Sequence, residues 1–147
     1  MDAESEIRAE VHGRIGAWMS ELFGPMASAR DDGAGYRVRF GSASIDVSVE
    51  PWSEGEAVIL ARARVVSGAD MTPELMKHLL HKNCEVRFGA FGVDARGDIE
   101  FRHSIVGSTC QKEELKASVQ HVMLVADLCD DEIVARWGGR RALDEQV

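Results

Sequence analysis

The stretch VRFGAFGVDARGDIEFRHSIVGSTC, Val86 to Cys110, decides the fold. Within it, Asp94-Ala95-Arg96-Gly97 has the composition of a tight turn. Aspartate at the first position can bond the backbone of the turn, and glycine at the fourth takes φ > 0 without steric cost. Phe88, Phe91 and Val93 precede the turn; Ile99, Phe101, Ile105 and Val106 follow it. Side chains alternate along a strand, so Ile99, Phe101, His103 and Ile105 share one face, and Glu100, Arg102 and Ser104 the other. The segment reads as an antiparallel hairpin with one buried face, running into a helix cap. Gly89 and Gly92 in its first strand signal a bulge or a close backbone approach. His103 lies on the apolar face. Its default reading is a packed histidine with one hydrogen-bond partner; a catalytic or sensing role near neutral pH is the alternative. No acid, serine or cysteine stands at a telling spacing from it.

Toward the N-terminus, residues 4–23 carry Ile7, Val11, Ile15, Trp18 and Leu22 at helical spacing, and Gly24-Pro25 stops the pattern. A small, polar connection over 26–34 leads to a second hairpin. Tyr36, Val38 and Phe40 alternate with arginines in its first strand; Ile45, Val47 and Val49 alternate with Asp46, Ser48 and Glu50 in its second. Basic residues thus face acidic ones across the pair. Ala57 to Val66 forms a third strand, apolar on both faces near Val58-Ile59-Leu60, as a central strand requires. Thr72 as N-cap and Pro73 at the first helical position open a second helix to about Cys84, with Leu75, Met76, Leu79 and Leu80 on its apolar face. Beyond the decisive hairpin, Ser108 or Thr109 is placed to cap a third helix. Its stripe is Leu115, Val119, Val122, Ala126, Cys129, Ile133 and Trp137. Gly138-Gly139 ends it, and the tail 140–147 reads as frayed. The order is α-β-β-β-α-β-β-α in a single domain spanning 1–147.

At 147 residues and a net charge of −8, the chain can bury a self-sufficient core and is a poor match for duplex nucleic acid. It has no apolar run long enough for a membrane span. The opening MDAESEIRAE lacks a signal-peptide pattern, and Cys84, Cys110 and Cys129 form neither a CxxC motif nor a disulfide framework. A cytoplasmic setting is expected. His78, His81 and Cys84 follow one another at i, i+3, i+6, but the third is swung round the helix and no second ligand cluster accompanies them, so no metal is expected. Asp127, Asp130, Asp131 and Glu132 lack the spacing of a calcium loop and read as a solvated face. No catalytic constellation is recognisable.

The element order resembles that of type III secretion chaperones of the Tir-chaperone (CesT) type. The motifs FGAFGVDARGDIEFRHSIVGSTC (Phe88–Cys110), SGADMTPELMKHLLHKN (Ser67–Asn83) and the following EEL with its acidic helix resemble more closely their relatives, the YbjN-like proteins. The resemblance implies an α+β fold, a twisted antiparallel sheet flanked by helices. It implies a non-enzymatic, cytoplasmic, cofactor-free protein that binds an extended client segment and forms a homodimer. Carried onto this chain, it puts Leu75, Met76, Leu79 and Leu80 near the dimer seam. It puts Trp18, Met19, Leu22, Tyr36, Val38 and Phe40 on the client surface. Ordinary core packing is the competing reading of each residue. A small-molecule-sensing regulatory domain is the competing function; its mark would be a roomy apolar cavity with convergent polar groups, His103 among them. An enzyme would need a nucleophile–base or metal constellation assembled in space.

Overall fold

The computed structural model describes residues 2–146. Its elements are α1 (Ala3–Phe23), β1 (Ala27–Ala29), β2 (Gly35–Phe40), β3 (Ala43–Pro51), β4 (Ala57–Ser67), α2 (Pro73–Glu85), β5 (Ala90–Val93), β6 (Ile99–Val106), α3 (Lys112–Trp137) and β7 (Arg140–Arg141). The strands form one seven-stranded sheet in the order β1-β2-β3-β4-β6-β5, with β7 added beside the end of β4. Every pairing is antiparallel. The α+β architecture and the two hairpins agree with the sequence reading. The decisive turn is built as expected: Gly97 N–H donates to Asp94 O at 3.0 Å, and Asp94 Oδ1 accepts from Arg96 N at 2.9 Å and Asp98 N at 3.0 Å. Gly89 is a site of close approach, because a Cβ there would stand 2.7 Å from Arg102 O.

Register sets the core. Ile45, Ala63, Phe101 and Phe91 form one row across the sheet, and Val49, Ile59 and Ile105 another. All seven are buried. Helices α1 and α3 lie against this face. The opposite face carries Arg37, Asp46, Arg62, Glu100 and Arg102 and has no α-helix on it; the 3-10 turn Ala142–Gln146 reaches β3 and β4, with Ala142 lining the same recess as Arg37, Asp46 and Arg62. Helix α2 stands at the β5 edge and leans on α3, with His78 5.1 Å from the Trp137 ring.

Four local readings are corrected. The buried residues of α1 are Val11, Ile15, Met19 and Phe23, with Ile7, Trp18 and Leu22 half-buried beside them. The row of i+4 steps, not the mixed spacing, meets the sheet. The connection 26–34 contains strand β1, too short for alternation to reveal it. The cap of α3 is Gln111, whose N–H is met by Glu114 Oε1 at 3.4 Å. Ser108 is engaged elsewhere: its hydroxyl donates to Glu56 Oε2 at 2.5 Å and ties two loops together. Within the tail, Arg140–Arg141 pairs with Val66–Ser67, and Arg141 reaches Asp131 at 2.9 Å and Asp144 at 3.0 Å. Residues 140–144 are therefore held, while Val147 lies outside the described residues.

Asp127 and Asp130 are structural, not a solvated face. The Ser42 hydroxyl lies 2.6 Å from Asp127 Oδ1 and 2.6 Å from Asp130 Oδ2. One hydroxyl has one proton to give. Hydrogen bonds from the Ser42 side chain and backbone hold Asp127 below the usual carboxylate range, whereas burial pushes Asp130 up. Ser42 therefore donates to one carboxylate at a time, and burial makes Asp130 the more readily protonated of the two. A carboxyl raised on folding favours the native state in acid and loses that contribution as pH climbs through its folded pKa. Asp130→Asn, which keeps a donor without the charge, is expected to melt above wild type at pH 7.5, the gap closing toward pH 4; thermal melts across that range check it.

Candidate client groove

A trough runs along one side of α1. Ser5, Arg8, Ala9, His12 and Gly13 line its first part, with Gly33, Ala34 and Val49 opposite, around a volume of about 370 Å³. Gly16, Met19 and Ser20 line the second part, of about 200 Å³, against Ala27, Ser28, Ala29 and Tyr36. Between the two, His12 stacks on Tyr36 with ring centroids 5.2 Å apart. Gly16 makes room for this: a Cβ there would clash with the Tyr36 hydroxyl. His12 Nε2 is buried here without a protein hydrogen-bond partner.

Strand β1 forms the outer wall and is one edge of the sheet. Arg30 N–H donates to Gly35 O at 2.9 Å, and hydrogen-bonded pairs alternate along an antiparallel ladder. Ser28, opposite Arg37, is the next such pair, so Ala27 and Ala29 turn their backbone groups outward. Ala27 N–H is taken by Gly24 O. Ala29 N–H and the carbonyls of Ala27 and Ala29 are left facing away from the sheet.

The other edge, β5, is treated differently. Asn83 of α2 accepts from Phe91 N–H at 2.7 Å and donates to Phe91 O at 3.3 Å, imitating one residue of a neighbouring strand. A carboxamide can do this because it carries a donor and an acceptor side by side. The β5 edge is covered at Phe91, and the β1 edge is open.

The residues expected on the client surface are not brought together. Met19 and Val38 belong to the core, 1% and 0% exposed, and are corrected to packing roles. Of the six, Tyr36 lines the trough, and the buried Met19 closes its floor beside it. Trp18 follows Gly16 by two positions, about 200° round the helix, and lies under Arg14, whose guanidinium is 5.7 Å from its ring. Leu22 is half-buried on that same side. Phe40 is 50% exposed at the far end of β2. On α2, Leu75 and Leu79 face inward and are corrected to core residues, whereas Met76 and Leu80 are exposed.

His103 is a packed histidine, with Nδ1 2.7 Å from Ser118 Oγ; burial, followed by the nearby His121, holds it below its ordinary pKa. It also lines a recess of about 380 Å³ between β6 and α3, with Phe88, Ile105, Glu114 and His121 among its neighbours. Burial pushes the Cys110 thiol up to about 11 and raises Cys129 as well, so both are protonated at neutral pH. His81 and Cys84 are exposed, while His78 lies 3.8 Å from Glu132. Among the described residues, no three His, Cys, Asp or Glu side chains converge as a metal site requires. Also among them, no helix is long and apolar enough to cross a membrane.

The family model described as "TY-Chap1: T3SS (YopN, CesT) and YbjN peptide-binding chaperone 1" matches residues 9–145. The chain belongs to this family. The resemblance read in Phe88–Cys110 and Ser67–Asn83 is borne out. No curated protein matches the sequence. Among solved structures, one chain of the crystal structure of the ExsC–ExsE complex is 20% identical, covers 90% of this chain and 97% of its own length, and superposes with a TM-score of 0.57. At that identity the likeness is one of fold. Two features that distinguish the edges, Asn83 and the short β1, carried no signal in the sequence. Asn83→Ala is expected to cost about 1–3 kcal/mol, the toll for unpairing Phe91 N–H, and to expose a second open edge. Urea denaturation and light scattering before and after the substitution check both effects.

Proposed function

We propose that this protein is a non-enzymatic peptide-binding chaperone that takes an extended client segment onto the β1 edge, its side chains seated in the trough beside α1. The observation that carries the reading is the difference between the two edges: Asn83 pairs with β5 at Phe91, and nothing among the described residues occupies the outward carbonyls of Ala27 and Ala29 or the Ala29 N–H. An added strand gains main-chain hydrogen bonds, and alternate side chains find pockets. Here one side of such a strand meets Tyr36, Met19 and Gly16. Membership in a family of peptide-binding chaperones supports the same conclusion. The setting is the cytoplasm, with Cys84, Cys110 and Cys129 as free thiols.

The test uses Ala29→Pro. Proline removes the outward N–H and is tolerated on edge strands, while the ladder bonds of Ser28 and Arg30 stay in place. Peptides selected by panning a random library on the wild-type protein are expected to bind Ala29→Pro about tenfold more weakly or worse. They are also expected to protect the Ala29 amide from hydrogen exchange in the wild type. Equal affinity for the two proteins would sink the edge-addition reading.

We also propose a homodimer with its seam at α2, now resting on Met76 and Leu80, which are 45% and 64% exposed. Because Leu80 is outside the core, Leu80→Glu leaves folding intact and is expected to convert dimer to monomer at micromolar concentration by sedimentation. A dimer that persists would move the seam elsewhere. The recess at His103 favours a second reading, a regulatory domain that senses a small molecule. Native mass spectrometry of the protein from its own host separates the two: a bound polypeptide supports the chaperone, a bound small molecule the sensor.

A further inference from the structure

The face of the sheet opposite α1 and α3 bears a positive island on a chain whose net charge is −8. Arg37, Arg39, Arg62, Arg64 and Arg96 line a recess of about 280 Å³ there, against three carboxylates, Asp46, Asp94 and Glu100. The arrangement is regular. Arg37 stands opposite Asp46, which stands opposite Arg62, and Arg39 stands opposite Ser44. Arginine columns on β2 and β4 therefore flank β3, roughly 10 Å apart, and within each column the arginines repeat at about 7 Å.

Glu100 and Asp98 are each shared between two arginines. Glu100 lies 3.8 Å from Arg62 and 3.5 Å from Arg102. Asp98 lies 3.5 Å from Arg64 and 3.6 Å from Arg96. Asp46 engages Arg37 at 2.8 Å, and Arg39 has no carboxylate partner among the described residues. Each guanidinium carries five donors in a fork that fits a carboxylate bidentately. Long, exposed pairs of this kind exchange partners at little cost.

We propose that this face is a second docking surface, for an acidic polypeptide segment lying extended over β3 between the two arginine columns. Side chains on one face of an extended chain repeat at about 7 Å, the spacing of the arginines. A segment with carboxylates at alternate positions meets them in turn. Each row keeps more arginine than acid, Arg37, Arg62 and Arg102 with Asp46, and Arg39 and Arg64 with Glu100, so one client carboxylate per row meets a net positive charge. The acidic remainder of the chain opposes the continuous charge of a nucleic acid. The face lies across the sheet from α1, so it stands or falls independently of the trough.

Fluorescence anisotropy on the full chain tests the assignment. The probe is a labelled Glu-Ser repeat of about ten residues, compared with a Lys-Ser repeat and an oligothymidylate of equal length. The Glu-Ser peptide is expected to bind with a submillimolar Kd that weakens with added salt. The double variant Arg39→Glu/Arg62→Glu, altered at exposed positions, is expected to lose about tenfold or more in affinity. Should that variant melt early, Arg39→Gln carries the comparison. Binding that survives the substitutions, absence of Glu-Ser binding, or tighter binding of the oligothymidylate would each overturn the proposal. So would conversion of a wild-type dimer to monomer by the double variant, which would make the face an interface between copies.

Discussion

The close seating of α3 on β4 is the constraint on which the rest depends. The strand runs eleven residues, Ala57–Ser67, and its inward face is Ala57, Ile59, Ala61, Ala63 and Val65, all buried. Small residues at the middle of that row let the helix approach, so the larger side chains interlock around the contact rather than at it. Phe101 and Ile45 fill the flanks on β6 and β3, in register with Ala63. Leu115, Val119, Val122, Ala126 and Ile133 come down from α3. Overpacking the alanine row would lift α3 and release the Ser42–Asp127–Asp130 bonds that hold the first hairpin to it.

With one face committed to that core, everything exposed belongs to the other face or the two edges. An open edge is a liability that folded chains ordinarily blunt. Here one edge is covered at Phe91 by Asn83 and the other is kept to three small residues beside a trough. Brevity limits uncontrolled pairing, because three residues offer few bonds to another sheet. A client that also fills the trough gains what a bare strand would not. The physical sense of the arrangement is selective stickiness: weak backbone pairing, made useful only with side-chain burial.

The fold was largely legible because its cues are periodic. Alternation in Ile99–Val106, the Asp94–Gly97 turn and the Thr72-Pro73 helix start all reappear in the structure. The family was legible for the same reason. The site was not. Trp18 and Met19 are adjacent and both apolar, and only the placement of α1 on the sheet decides which of them is core. Leu79 and Leu80 pose the same problem on α2. Asn83 reads as a polar helix end until Phe91 is seen beside it. Ser108 had the chemistry of a cap but was claimed by Glu56, fifty-two positions away. Each failure concerns a partner distant in sequence, which spacing cannot report.

Topology has a consequence for the dimer proposed above. Helix α2 stands by β5, and the trough stands by β1, at opposite edges of the sheet. Six strands in sequence place those edges roughly 24 Å apart at the usual interstrand spacing. A two-fold axis through the α2 seam therefore carries the two troughs to the outer ends of the pair, on the order of 50 Å apart. One client would need about fifteen extended residues merely to bridge them, plus the residues that add to each β1. Such a client gains from effective concentration once its first half is seated. A shorter client occupies one trough alone, and the two sites then act independently. Client length, more than client sequence, thus governs whether pairing of the two copies strengthens capture.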